Sequence, residues 1–290
     1  MMHHAPSKQR LLAVFALLCV NATLTTQSTA QSAIAQEQSV PTYADLAGLV
    51  DRSTLVVHAT VRKQAEVSPE RAPGIPASTA RLYLEAETVA LLAGSAPLGE
   101  SLRYLVDLPR DTRGRAPKLK KTPVLLFAQP VAGSPGTLQL VAPDSQLAWS
   151  ASLERRVRDI LRESVAVDAP PQVTGVRDVL SIAGTVTGES ETQLFLDTQD
   201  GAPASITVTR RPGAPAQWGV SWAEIVDQSA TAPRPGTLEW YRLACFLPAQ
   251  LPDSAYLSVA PADRARATAD YRFVQAELGP CARTRRLFGS

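Results

Sequence analysis

Histidine and cysteine, the residues that most often carry chemistry, are scarce here: three of each in 290 residues. His3, His4 and Cys19 lie in a leader-like stretch, which leaves His58, Cys245 and Cys281 for the folded part. With one histidine, a Ser-His-Asp arrangement has a single candidate base. No Gly-x-Ser-x-Gly occurs, so the nucleophile elbow is absent. No serine is followed three residues later by lysine, which removes the Ser-x-x-Lys hydrolases as well. If the two cysteines pair with each other, a zinc centre of the His and Cys type is excluded by count. No metal site and no cofactor are therefore expected.

An excess of charge of either sign is also missing. The chain holds 29 basic and 27 acidic residues, and removing residues 1–30 takes away Lys8 and Arg10 and no acid, leaving 27 of each. A nucleic-acid-binding domain would carry a clear basic excess, so no nucleic acid is expected as a partner. Lysine is rare, 5 against 24 arginines. With abundant alanine and proline, this composition suggests a GC-rich bacterial genome and hence a periplasm as the destination.

A long apolar run is the third absence. Leu11 to Val20, behind Lys8 and Arg10, is too short to span a bilayer, which takes about 20 apolar residues. It has the length of a secretory signal core instead. Small-residue cleavage sites follow at Ser28-Thr29-Ala30 and at Ala33-Ile34-Ala35, so residues 1–30, or 1–35, read as a secretion signal. Leu18 ahead of Cys19 is too large for the usual lipid-attachment site. A periplasmic or secreted protein is expected, with an uncleaved, membrane-tethered form as a weaker reading. In that compartment Cys245 and Cys281 read as a disulfide. Closing a loop of this length contributes about 3–4 kcal/mol in the chain-entropy account. Its loss should loosen the second half and leave the first nearly untouched.

What is present reads first as β structure. Thr42 is placed to cap a short helix through Tyr43 to Val50. Residues 54–62 alternate, with Leu55, Val57, Ala59 and Val61 on one face and Val56, His58, Thr60 and Arg62 on the other. Further strands are expected at 81–89, around Leu102, Tyr104 and Val106, at Val124 to Ala128 and at Gly136 to Val141. Five strands in about a hundred residues suit a small closed barrel, because closure removes exposed strand edges.

In the middle, Leu153, Val157, Ile160 and Leu161 form one apolar stripe of a helix that Ser150 or Ser152 can cap. This helix and an Ala/Pro stretch to residue 172 form the hinge between two domains, a β-barrel at 40–149 and an α+β domain at 173–290. Thr174 is expected to cap a short helix through Val176, Val179 and Leu180. A three-stranded antiparallel meander follows at 192–198, 205–209 and 217–221, with turns at Asp200-Gly201 and Pro212-Gly213. Ser221 to Glu224 reads as a capping box for a helix to Gln228. Thr237 then caps an apolar helix through Leu247, and Pro261 opens a last one that Gly279-Pro280 stops.

The stretches Leu55 to Val61, Tyr83 to Gly94 and Val124 to Phe127 resemble the first strands of secreted OB-fold modules of the netrin/TIMP-like kind. The resemblance spans 42–145 and implies a barrel with a binding role. Those modules carry disulfides, whereas this half has no mature cysteine, so no residue role is carried over.

Four features could carry function. Arg110, Arg113, Arg115, Lys118, Lys120 and Lys121 place six cations against one acid, Asp111, between the third and fourth strands. They could hold an envelope polymer, an anionic lipid surface or an acidic protein; the alternative is a solvated loop balanced by acids elsewhere. Glu85 and Glu87 share a strand face with Arg81 and Tyr83, as an acid–base pair or as ordinary salt-bridged surface. His58 is either a base or an ordinary residue of the more polar strand face. Trp149, Trp218, Trp222 and Trp240 either bind a ligand or pack the core, and packing is the commoner use. The leading expectation is a non-catalytic binding or scaffold protein acting through protein or cell-envelope contacts. The alternative is a periplasmic hydrolase, or another carboxylate-dependent enzyme, with its site between the domains.

Overall fold

A computed structural model describes residues 40–95, 99–143, 145–223 and 230–285. The secretion signal and the helix expected from Ser221 to Gln228 lie, wholly or in most of their length, outside the described residues.

Helix α1, Tyr43–Arg52, starts as its sequence requires: the Thr42 hydroxyl accepts from the Asp45 N–H, and the Asp45 carboxylate accepts from the Thr42 N–H. Strands β1 (Leu55–Glu66), β2 (Thr79–Ala93), β3 (Ser101–Pro109), β4 (Pro123–Pro130), β5 (Leu138–Leu140) and β6 (Gln146–Ala148) form the first antiparallel sheet. Its order is β3-β2-β1-β4-β5, and β6 continues along the same edge of β4 that β5 uses. The alternating residues close on one another as expected. Leu55, Val57, Ala59 and Val61 of β1 pack with Leu82, Leu84 and Ala86 of β2 and Leu102, Tyr104 and Val106 of β3. The hydrogen-bonded ladder is open. Its two end strands approach where Arg103 of β3 makes one parallel bridge to Thr137, its N–H bonded to the Gly136 carbonyl at 2.8 Å.

Helix α2, Ala151–Ser164, is capped by Ser150, whose hydroxyl accepts from the Leu153 N–H. It buries Leu153, Val157 and Ile160, and Leu161 packs beside them, so the stripe read in the sequence is the buried face.

The region expected as a helix from Thr174 is a strand. Strand β7 spans Val173–Ala183 and joins β8 (Ser190–Thr198), β9 (Ser205–Arg210) and β10 (Gln217–Ser221) in an antiparallel sheet of order β10-β9-β8-β7. The expected three-stranded meander is therefore the larger part of a four-stranded one. Two register shifts, between Val173 and Gly175 and between Val176 and Asp178, interrupt the alternation of β7. Its buried valines, Val173, Val176 and Val179, consequently fall three apart, an interval that imitates a helix.

Helix α3 (Leu238–Ala244) follows its Thr237 cap, and α4 (Pro261–Leu278) lies on β7 and β8. Ala267, Tyr271, Val274 and Leu278 are buried along one side of α4, with Asp270 among them. Asp270 accepts from Arg210 at 2.6 Å and from the Thr192 hydroxyl, which also bonds Ser181, so its charge is buried with partners. Cys245 and Cys281 stand at disulfide distance, their Cα atoms 5.1 Å apart. One core takes Leu46 and Leu49 of α1, Val56, Leu125 and Phe127 from the outer face of the first sheet, α2, the second sheet, α3 and α4.

Candidate functional site

The cationic connection between β3 and β4 has a defined backbone. At its start Asp111 accepts from the N–H groups of Arg113 and Arg115, each at 2.9 Å, a turn that aspartate favours. Backbone and side-chain bonds from Arg115 hold the Asp111 carboxyl below the ordinary aspartate value. At its end Gln64 of β1 donates to the Pro117 carbonyl at 2.7 Å and accepts from the Leu119 N–H at 2.8 Å. Leu119 itself packs against the interior of the first sheet. Lys121 donates its N–H to the Val61 carbonyl and has a φ of 69°, alone among the described non-glycine residues in being positive. A lysine held in the left-handed region is strained, and such strain persists only where surrounding bonds impose it.

The charges at this end of the sheet separate into two sets. Arg110 pairs with Glu66, Arg115 with Asp111 at 2.8 Å, Lys63 with Glu85 at 2.8 Å and Arg62 with Glu87. Glu85 and Glu87 are thereby each matched to a cation, not to each other. Arg113, Lys118, Lys120 and Lys121 are exposed, and among the described residues no carboxylate lies within ion-pair distance of them. Of the six cations singled out in the sequence, two are neutralised and four are surplus.

His58 lies elsewhere, on the outer face of β1 under α2. Its ring stacks on Trp149 with centroids 4.7 Å apart and planes 11° from parallel. Its Nδ1 is 3.3 Å from the Glu154 carboxylate, which also accepts from the Trp149 indole N–H at 2.5 Å and from Arg158. The Trp149 indole and the Arg158 guanidinium hold Glu154 below the ordinary glutamate range, against burial, which acts the other way. Trp149 and Glu154 were not paired with His58 by the sequence reading. The available signal was their position, a tryptophan just ahead of the cap and an acid in the first turn of α2. Among the described residues no hydroxyl or thiol bonds to His58, so the arrangement offers an acid–base pair without a nucleophile.

The tryptophans divide as well. Trp240 is buried and donates to the Leu278 carbonyl at 2.8 Å, and Trp218 is buried in the core of the second sheet. Trp149 and Trp222 pack at the margin of that core.

A second cluster of ionisable groups joins the helices. Tyr43 of α1 donates to Glu163 of α2 at 2.9 Å, and Glu163 also accepts the Leu238 N–H at the start of α3. Burial first, and then Glu163, push the Tyr43 phenol far above its ordinary value. These are packing contacts between elements. A cleft of about 310 Å³ between the end of α1 and the β4–β5 hairpin is lined by Arg52, Gln129, Gln139, Leu140 and Val141. It brings amides and one guanidinium together but no acid–base pair. Among the described residues, no three His, Cys, Asp or Glu side chains are grouped to hold a metal ion, and no helix is long and apolar enough to cross a membrane. No known family model matches the chain, and no curated protein matches its sequence.

Proposed function

We propose that this chain is an exported, non-catalytic binding or scaffold protein whose β3–β4 loop holds an anionic partner in the cell envelope. The observation that carries the reading is the charge surplus. Glu66, Glu85, Glu87 and Asp111 are each matched to a cation, and Arg113, Lys118, Lys120 and Lys121 are left without a carboxylate among the described residues, on a loop whose backbone is fixed. Lysine suits this role as a hydrated point charge that approaches phosphate or carboxylate groups without demanding bidentate geometry. Three of the five lysines of the whole chain lie in this one loop. The partner is an anionic surface of the envelope: a polymer, a lipid headgroup layer or an acidic protein patch.

The first half is read as an OB-like barrel at 40–149, followed by the α2 hinge and an α+β domain at 173–290. Support for the barrel comes from the strand order β3-β2-β1-β4-β5 and from the approach of the end strands at Arg103 and Thr137. Such a barrel is a partly open Greek key that presents ligands on strands and loops. Export rests on the basic and apolar leader, and the mature chain is expected to begin at Gln31 or Gln36.

The test is retention of the mature protein on anionic vesicles and on isolated cell-wall polymer across a salt series. Replacing Lys118, Lys120 and Lys121 together by Gln should abolish salt-sensitive retention. Unchanged retention, or none in the parent protein, overturns the reading. A second reading, a carboxylate-dependent enzyme, is favoured only by the His58–Glu154 contact. It predicts that His58→Gln and Glu154→Gln remove function while the lysine triple variant keeps it.

A further inference from the structure

The chain beyond Cys281 leaves its own half of the protein. Arg283 donates to the Ala44 carbonyl at 2.8 Å, and its guanidinium lies 5.7 Å from the centre of the Tyr241 ring. Thr284 gives Asp45 two bonds, from its hydroxyl at 2.6 Å and its N–H at 3.1 Å, and the Arg285 N–H adds one at 3.2 Å. Asp45 is fully buried and has one further donor, the Thr42 N–H. Three of the four bonds to this carboxylate thus come from residues 284 and 285, three and four positions past a cysteine. The other cysteine, Cys245, closes the end of α3 against the core.

We propose that Cys245 and Cys281 form a redox latch: their bond seats residues 281–285 on the first turn of α1, and its reduction frees them. Pro280 cannot donate to extend α4, so the cysteine bond is the covalent tie that brings this segment to α1. Ordering a free strand of chain is opposed by its conformational entropy, and a bond at its root removes much of that opposition. When the segment leaves, Asp45 loses three of its four donors, which loosens the α1 turn that it caps.

Closing the latch joins two sulfurs. The two thiols give up two protons and two electrons to a disulfide-bearing oxidant by thiol–disulfide exchange, and the oxidant leaves as its dithiol. A dithiol reductant runs the same exchange backwards. Both cysteines are half-buried, neither being sealed in the core. The latch is independent of what the basic loop binds. With export to an oxidising compartment, it sets the order of events: α1 is clasped only after the chain has crossed.

The test is hydrogen exchange followed by mass spectrometry on the mature chain, oxidised and after dithiothreitol. On reduction, peptides covering 42–50 and 281–285 should exchange about tenfold faster or more, while β1–β2 and β7–β8 keep their protection. The effect thus reaches α1 of the first half, contrary to the sequence expectation that the first half is left nearly untouched. Thr284→Val, with the cysteines still joined, should speed exchange at 42–50 alone. The proposal is overturned if α1 exchanges alike in both redox states. It is also overturned if both sheets open together with α1, which makes the bond an ordinary staple, or if Thr284→Val leaves α1 unchanged.

Discussion

Asp51 at the end of α1 and Arg242 in α3 form a two-point ion pair, 2.6 Å and 3.1 Å between nitrogen and oxygen, across 191 residues of sequence. The side chains are 18 % and 9 % exposed, and Arg242 also donates to the Pro170 carbonyl. The pair therefore binds the start of the first half to the middle of the second. Removing one member leaves a largely buried charge, which is more harmful than removing both. Arg242→Met should cost about 2–4 kcal/mol in denaturant unfolding, and adding Asp51→Asn should recover part of that loss. Strictly additive losses would show that the two residues act separately.

Asp45 makes acid stability a local matter. Burial acts to raise its pKa, but donors from Thr284, Thr42 and Arg285 outweigh it, and the carboxyl sits below its ordinary value of 3.8. A depressed carboxylate contributes stability that is present above its unfolded pKa and is lost as pH falls through the folded one. Unfolding free energy should thus fall as the pH drops below about 4. Asp45→Asn should flatten that fall while lowering stability at neutral pH. An unchanged acid limb in the variant assigns the acid sensitivity to other carboxylates.

Lys121 sets stability against the proposed function. Glycine adopts a φ of 69° without the steric cost that a lysine bears, so Lys121→Gly should stabilise the protein by about 0.5–1 kcal/mol. The same change removes one surplus cation and should weaken retention on anionic vesicles. Lys121→Ala keeps the strain and removes the charge, so it should weaken retention without raising the denaturation midpoint. A midpoint that rises equally in both variants would tie the effect to charge and not to backbone strain.

Close approach requires glycine most strongly at Gly219 and Gly94. A Cβ on Gly219 would meet the Ala230 carbonyl oxygen at 2.1 Å, and one on Gly94 would meet Leu55 Cδ2 at 2.4 Å and the Thr54 carbonyl at 2.7 Å. Backbone cannot yield cheaply, so alanine at either should cost about 1–3 kcal/mol or more. Gly114, with a φ of 72° but open space around it, should bear alanine at about 1 kcal/mol. Thermal melts of the three variants rank them, and a tolerated alanine at Gly219 would show that residue 230 does not press on β10.

Much of the fold was legible because burial follows a period. Leu55, Val57, Ala59 and Val61 alternate in the sequence and all four are buried in the interior of the first sheet. The α2 stripe and the buried face of α4 repeat at the helical interval and are buried accordingly. β7 was not legible, since its bulges replace alternation with a three-residue spacing. At the cationic loop, the sequence showed six cations and one acid. It could not show that Glu66 at the end of β1 reaches Arg110 after β3, across the intervening β2, because that match depends on strand order. The stacking of His58 on Trp149 was hidden for the same reason, being made between a strand and the residue that leads into a distant helix.

The approach of β3 to the residues before β5 bears on behaviour at high concentration. An outer strand with a row of unpaired amides is a template on which another chain can add. Along β3 the Arg103 N–H is taken by the Gly136 carbonyl and the Asp107 N–H by the Pro143 carbonyl, while Pro109 has no N–H to offer. A sheet that ends against its own loops has little left to present to a second molecule. High concentration should therefore drive little strand-to-strand association through this edge, and loosening the 136–143 segment is the change that would expose it.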